Sequence, residues 1–414
     1  MKNKFLILAA LFPSLLFAQI NEESFSVSEL KNNPTKTEQL LVFALKTEQF
    51  QAAERLLKIY QDFPQADKNL VHYAQIRFAQ QLFLNHQNRD ARQAFQAAQQ
   101  EDLSDDARNA VDKYLFALDE RERWQFSGRA HYIYDKNVNK TSADKQIENT
   151  GFVKGDGMYP QKAHGFGYSA ELEKNWHLKG LHHLHFSNEI SGKNYWDHHD
   201  FDEITNRTYL GYVHQNANTQ WALKPFYEQQ WFGGHRYHYS GGARLEYAKA
   251  FQTKGQVYTS FEFSQPRYFK SDERDGSIKS VSVTLLYPHN PKAYLYVGAD
   301  FIREQTKEKQ YSNDLTSLRA GWKQTWGHEI STQLNASIAN RQYKDTAVLG
   351  GVLPLDKTRR DKIYTANLTV WKENWQWHGL TPKIQFRWKR QNSNLPTMFS
   401  YSEKYAQLLI DKTF

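Results

Sequence analysis

The chain has 414 residues, a formal net charge of +8 and no cysteine, which excludes disulfide frameworks, thiolate zinc sites and cysteine nucleophiles. Aromatic residues make up 15% of the sequence, too many for a disordered chain, and the mean hydropathy of −0.78 excludes a bundle of membrane-spanning helices. The classes that remain are a large soluble β-protein and an outer-membrane-type β-barrel.

The N-terminus has the pattern of an export signal. Lys2 and Lys4 precede an apolar stretch over residues 5–17, and Ala18 is a small residue at its end. A short buried helix is the alternative, which Pro13 disfavours. The pattern predicts a signal peptide over residues 1–18. Export together with the lack of cysteine indicates a Gram-negative envelope, and a mature protein that is not itself a lipoprotein.

Composition changes sharply after the first third of the chain. Every glycine lies at or after Gly128, and every tryptophan lies at or after Trp124. Such a shift predicts two domains, one over residues 19–123 and one over residues 124–414.

The first domain is predicted to be helical. Apolar residues recur with helical period over 37–60, 71–84, 91–99 and 107–118. Helix pairs of this size with alanine at close-packed positions resemble tetratricopeptide (TPR) repeats, and a non-repetitive helical bundle is the alternative. Stacked helices of either kind leave a groove or face for a polypeptide partner.

The second domain is predicted to be a barrel of strands. Val281, Val283 and Leu285, for example, alternate with Ser280 and Ser282, so one strand face is apolar and the other polar. Fourteen such segments, an even number, predict an antiparallel outer-membrane β-barrel. They cover residues 126–135, 164–176, 182–193, 203–215, 219–231, 236–249, 254–265, 278–287, 293–303, 311–325, 329–341, 361–372, 381–390 and 404–414.

The connections between these segments predict the orientation of the barrel. Short turns, as at 216–218, alternate with longer connections such as 136–163, 266–278 and 343–360. Short turns are typical of the periplasmic side, and the helical domain enters the barrel on that side. The terminal Phe414 resembles the aromatic C-terminal signal that the barrel assembly machinery reads during insertion.

Two short motifs resemble those of a known family. The sequence Tyr134-Asp135-Lys136-Asn137-Val138-Asn139 at the end of the first strand looks like the YD.N(I/V)N motif of surface lipoprotein assembly modifiers. The segments at 390–394, 401–402 and 412–414 are similar to the last hairpin of that family. The order of signal peptide, TPR-like domain and fourteen-stranded barrel matches as well. The resemblance covers nearly the whole mature chain, and the motif residues it marks are Tyr134, Asp135, Asn137 and Asn139.

The resemblance implies an outer-membrane translocon. It would carry a dedicated lipoprotein or small secreted protein, often one used in haem or iron acquisition, from the periplasm to the surface or medium. Its partners would be that cargo, the barrel assembly machinery and outer-membrane lipids. A passive porin or receptor and a host-binding surface protein are the alternatives.

Basic residues are predicted on the polar faces of two strands, where they would line the lumen. They could steer acidic cargo segments, or they could pair with acids and simply keep the lumen hydrated. The residues are Arg319, Lys323, Lys383, Arg387 and Lys389.

No other chemistry is indicated. His182, His183 and His185, and the segment 196–200, contain metal-ligand residue types, but His182 and His183 face opposite sides of a strand. No segment offers a convincing Ser/His pair of the phospholipase kind, so an enzyme is not expected, nor is a cofactor or a metal. The basic charge does not indicate nucleic acid in an exported protein.

Overall fold

The computed structural model describes residues 27–148, 150–251, 254–349 and 353–413. The predicted signal peptide at 1–18 and the terminal Phe414 lie outside these residues. The chain divides into two compact units, Met1–Asp119 and Glu120–Phe414, a division close to the boundary predicted at 123/124.

The first unit is helical. Its helices are α1 Val27–Lys31, α2 Pro34–Lys46, α3 Phe50–Tyr60, α4 Lys68–Leu84, α5 Asn88–Gln99 and α6 Asp105–Glu122. The continuous helical period over 37–60 is therefore two helices. The break has a local cause: Glu48 has a φ of 57°, and the Thr47 hydroxyl donates to the Phe43 carbonyl at 2.9 Å.

Small and apolar side chains fill the interior of the helical unit. One cluster is centred on Leu41, Ala53 and Leu57, and a second on Ala91 and Phe95. The Phe95 ring is fully buried and stacks on the Tyr114 ring with centroids 5.0 Å apart. Burial of the apolar side of each helix in these clusters stabilises helices that would be marginally stable in isolation.

Within the described ranges, no helix has both the length and the apolar character that crossing a membrane requires.

The second unit is built from fourteen strands. They are β1 Gln125–Asp135, β2 Ala163–His177, β3 His182–Tyr195, β4 Glu203–Gln215, β5 Thr219–Phe232, β6 His235–Ala250, β7 Gln256–Tyr268, β8 Gly276–Asn290, β9 Ala293–Thr306, β10 Asn313–Thr325, β11 Ile330–Leu349, β12 Leu353–Lys372, β13 Leu380–Ser393 and β14 Tyr401–Thr413.

The strands form a closed antiparallel barrel. Each strand pairs with its neighbours in the chain, and β1 pairs with β14 to close the cylinder. Closure satisfies backbone groups that a lipid-facing edge would leave without partners. The predicted fold class, TPR-like helices followed by a fourteen-stranded barrel, is confirmed.

The two faces of the barrel wall have opposite character. Val281, Val283 and Leu285 are 40%, 37% and 49% exposed, and Leu318 is 60% exposed. Large apolar side chains at this exposure form the belt that outer-membrane barrels present to lipid. The intervening residues on the same strands are mostly polar and point to the opposite face.

The connections differ from the predicted ones. β11 and β12 continue beyond the belt as a paired hairpin, with Thr346 opposite Thr358 and Leu349 opposite Leu353, so most of the predicted loop 343–360 is strand. β7 and β8 similarly shorten the loop predicted at 266–278. Among the described residues, a long connection remains between β1 and β2, over 136–148 and 150–162. Continued pairing gives these backbone groups partners above the membrane.

Candidate functional site

The motif at the end of β1 starts the first long loop. The Tyr134 ring stacks on the His164 ring of β2, with centroids 4.6 Å apart, and the Lys136 ammonium lies 5.7 Å from the Tyr134 centroid. Tyr134 is thereby fixed at the outer rim of the barrel, on the face that carries Phe166 and the other exposed aromatic side chains.

The other motif side chains hold the backbone of the loop. The Asp135 carboxylate accepts from the Asn137 amide at 2.9 Å. Asn137 exchanges bonds with Thr141, donating from Nδ2 to the carbonyl at 2.8 Å and accepting from the amide at 3.1 Å. Asn139 donates to the Tyr159 carbonyl at 2.6 Å and accepts from the Gln161 amide at 3.1 Å. The polar motif residues therefore set the shape of the loop.

Lys140 connects this motif to the last strand. Its Nζ lies 2.6 Å from Asp135 Oδ2 and 2.7 Å from Glu403 Oε1. Burial lowers the pKa of Lys140, but the two carboxylates outweigh burial and hold the pKa above its ordinary value. Lys140 stays charged, and its ion pairs join β1 to β14 at the outer rim.

The rest of the loop packs on distant parts of the chain. The Ser142 amide donates to the Met398 carbonyl at 3.3 Å, and the buried side chain of Ile147 packs with Leu355, Leu395 and Met398. The first loop, the outer end of β12 and the connection between β13 and β14 thus share one small apolar core outside the membrane belt, although the first loop precedes the other two segments by more than two hundred residues.

Three of the basic residues predicted to line the lumen have acidic partners. Arg319 Nε lies 3.0 Å from Asp300 Oδ2, and its guanidinium also donates to Ser282 and Thr284. Lys323 lies 3.2 Å from Glu373, and Lys383 lies 2.9 Å from Asp411.

The other two basic residues contact tyrosines. The Arg387 guanidinium lies 5.8 Å from the centroid of the Tyr405 ring, and Lys389 Nζ donates to the Tyr401 hydroxyl at 2.8 Å. All five basic side chains lie on the strand faces opposite the apolar belt.

A second charged network, which sequence reasoning missed, spans β4 to β7. Arg207 pairs with Glu228 at 2.6 Å and with Glu262 at 3.2 Å, and Arg244 pairs with Glu246 at 2.7 Å and with Glu262 at 3.2 Å. Opposite charges at inward positions of neighbouring strands were the available signal. This part of the wall is closely charge-balanced.

The histidines singled out in the sequence do not meet at one point. His185 Nδ1 is 2.8 Å from Asn175 Oδ1, His182 bonds to the Tyr212 hydroxyl, and His199 pairs with Asp202 at 3.1 Å. Across the described ranges, no group of three or more His, Asp or Glu side chains is arranged to hold a metal ion.

These features define an outer-membrane β-barrel with a polar, charge-lined interior, preceded by a helical unit in the periplasm. Residues 124–414 match the family described as "Surface lipoprotein assembly modifier", and residues 23–81 match the N-terminal TPR repeats of the same family. The chain belongs to the surface lipoprotein assembly modifier family. The predicted family resemblance and the outer-membrane location are confirmed.

Curated relatives extend over most of the chain. A surface lipoprotein assembly modifier of Pasteurella multocida is 31% identical over 84% of this chain and 71% of its own length. Surface lipoprotein assembly modifier 1 of Haemophilus influenzae is 29% identical over 94% of this chain and 87% of its own length. The hemophilin secretion modulator of Acinetobacter baumannii is 22% identical over 96% of this chain and 88% of its own length.

Proposed function

We propose that this protein is a translocon that delivers one lipoprotein, or one small secreted protein, from the periplasm across the outer membrane. The observation that carries the proposal is the family match over both the helical repeats and the barrel. The names of the relatives connect such chains with surface lipoproteins and with hemophilin secretion. Cargo binding and passage are the expected activity, without catalytic turnover.

The two units suit successive steps of delivery. The periplasmic helices leave exposed aromatic side chains such as Tyr73 and Phe116, which are 54% and 62% exposed, for contact with a partly unfolded polypeptide. The barrel then supplies a wet, charged interior that does not trap apolar segments. The barrel assembly machinery and outer-membrane lipids are the partners expected during insertion.

Only part of the predicted basic set is suited to steering cargo. Arg319, Lys323 and Lys383 are paired with carboxylates, so their charges are largely compensated. Arg387 and Lys389 contact tyrosines, and among the described residues neither forms an ion pair, although Glu403 lies opposite Lys389 in the strand register. We expect these two residues to attract acidic cargo segments, and we expect the attraction to weaken at high ionic strength.

Gene deletion with complementation tests the proposed function. Intact cells of the parent, deletion and complemented strains are treated with external protease, and the digested lipoproteins and the secreted proteins are identified by mass spectrometry. We expect at least one exported protein to become protease-resistant, or to leave the medium, on deletion and to return on complementation. An unchanged surface and secreted proteome would contradict the proposal.

Conductance separates a translocon from a porin. The purified full-length protein is inserted into planar bilayers without cargo. A porin gives steady open-channel current, whereas a translocon at rest is expected to give little. Steady large conductance together with an unchanged surface proteome would favour the porin.

A further inference from the structure

One seam of the barrel is paired over less of its length than its neighbours. β1 pairs with β2 along its whole length, from Gln125 opposite Glu173 to Asp135 opposite Ala163. β14 pairs with β13 from Lys412 opposite Leu380 to Tyr401 opposite Gln391. Among the described residues, the register pairs between β1 and β14 run only from Ser127 opposite Thr413 to His131 opposite Leu409.

The outer half of this seam therefore has two free strand edges. Residues 132–135 of β1 and residues 401–408 of β14 continue as strands without register pairs to each other. Along an antiparallel edge, alternate residues direct both their N–H and their C=O to the open side. The β14 edge is eight residues long, roughly 27 Å at about 3.4 Å per residue. Such edges are templates for pairing with another strand.

A cavity of about 390 Å³ lies between the two edges. Its lining includes Tyr134 and Lys404 from the outward faces of the strands and Asp135, Glu403 and Tyr405 from the inward faces. Both faces of both strands contribute, so the cavity lies in the gap between the two strand ends, and residues 136–137, 141–144 and Pro160 of the first loop form most of the rest of its wall. Its polar and charged lining suits a peptide backbone better than an acyl chain.

The gap is held by side chains in place of a backbone ladder. The Lys140 ammonium joins Asp135 to Glu403 across it, at 2.6 and 2.7 Å. Continuing the observed register would put Asp135 opposite Tyr405, yet the backbones do not pair there. An ion bridge can be displaced without breaking any strand pairing, so the outer seam can open while its inner half, from Ser127 to His131, keeps the barrel closed.

We propose that the outer half of the β1–β14 seam is a strand-acceptor site, at which an extended segment of the exported protein pairs with the free edge of β14. The proposal rests on the translocation function proposed above. Backbone hydrogen bonds would supply the affinity, and the side chains that line the gap, such as Tyr405, would select alternate residues of the incoming segment.

Hydrogen exchange tests the free edge without any cargo. In the full-length protein in detergent micelles, amides of residues 401–408 should alternate between slow exchange, toward β13, and exchange roughly tenfold or more faster, toward the gap. Residues 409–412, which are paired on both sides, should be uniformly slow. Uniform protection from residue 401 to residue 412 would overturn the proposal.

Covalent linking of β1 to β14 tests whether the seam must open during export. The chain has no native cysteine, so a thiol reagent reacts only with the introduced pair. Ile133→Cys with Gln407→Cys spans the open seam, whereas the control, Gln385→Cys with Gln407→Cys, spans a paired position of the next seam. Each variant is treated in cells with a short bifunctional thiol reagent. We then measure the surface exposure or secretion of the protein whose export depends on this chain. It should fall about tenfold or more in the Ile133→Cys/Gln407→Cys variant and persist in the Gln385→Cys/Gln407→Cys control. Equal effects in both would overturn the proposal.

A photoreactive side chain identifies the occupant. Benzoylphenylalanine replaces Tyr405 in the gap or, as a control, Tyr209 on β4. A cross-link from position 405 to the exported polypeptide, absent from position 209, is expected, and cross-links from 405 only to lipid would overturn the proposal. Failure of the unmodified protein to display any cargo would instead contradict the translocation function, and hydrogen exchange would still decide whether the edge is free.

Discussion

The helical unit and the barrel distribute the same residue types in opposite ways. Leu41 and Phe95 are fully buried in the helical unit, whereas Leu318 on β10 is 60% exposed, with the charged Arg319 beside it on the inner face. Water solvates the outside of the helical unit, while lipid solvates the outside of the barrel. The loss of stability caused by a substitution therefore depends on whether the substituted side chain faces water or lipid.

The largest effect is expected in the helical core. Phe95→Ala removes a fully buried ring that stacks on Tyr114, so it should destabilise the helical unit by about 3–5 kcal/mol. Urea unfolding of the full-length protein in micelles, followed by the helical circular dichroism signal, measures the change. Phe116→Ala, at a 62% exposed position, is the control and should change stability by less than about 0.5 kcal/mol. Equal losses in both variants would contradict the assigned core.

The next largest effect is expected on the lipid belt. Leu318→Arg brings a charge to the apolar outer face and should destabilise the barrel by about 2–4 kcal/mol. Reversible folding into phospholipid vesicles, titrated with urea, measures it. Leu318→Val keeps the surface apolar and should remain close to the parent. If the arginine variant folded as well as the valine variant, Leu318 would not lie on a lipid-facing surface.

A smaller effect is expected from packing inside the barrel. A Cβ at Gly321 would lie 2.1 Å from Tyr296 Cε1, and Tyr296 is held by a 2.7 Å bond from its hydroxyl to Asn335. Gly321→Ala should cost about 1–3 kcal/mol, because the ring must move. Gly241→Ala, where a Cβ meets open space, is the matched control for the same titration. A neutral result at both sites would show that the Tyr296 ring relocates freely.

The smallest effect is expected from removing an inward charge. Asp300→Asn takes away the carboxylate beside Arg319, but water and the hydroxyls of Ser282 and Thr284 remain to solvate the guanidinium. The variant should lose about 0.2–1 kcal/mol of stability, less than Leu318→Arg, which changes the residue next to Arg319. The vesicle titration compares the two variants directly. A cost above that of Leu318→Arg would indicate a dry interior.

Much of the barrel could be predicted because its pattern is local. Alternation such as that of residues 280–285 specifies a strand with two unlike faces, and the number of such segments gives the number of strands. The outer part of the β11–β12 hairpin, after residue 341 and before residue 361, was missed. This part has no lipid face, and the alternation that marks a membrane strand is lost there.

The site was less predictable because its contacts join distant segments. The bond from Asp135 to the Asn137 amide is a local turn that sequence motifs specify. The ion pair from Lys140 to Glu403 depends on closure between the first and last strands, and Arg207 meets Glu262 from β7 across intervening strands. Sequence spacing does not specify such pairs, and for the Arg207 network the sequence offers only the pattern of opposite charges at inward strand positions.

The apolar cluster of Ile147, Leu355, Leu395 and Met398 has a consequence for immune recognition. It ties two surface connections and the outer end of β12 into one folded cap, so the outer face presents a composite epitope assembled from segments far apart in the sequence. Antibodies raised against isolated peptides of the 136–162 loop would meet a shape that the intact bacterium does not display. An immunogen that keeps the barrel folded is required to elicit antibodies against the native surface.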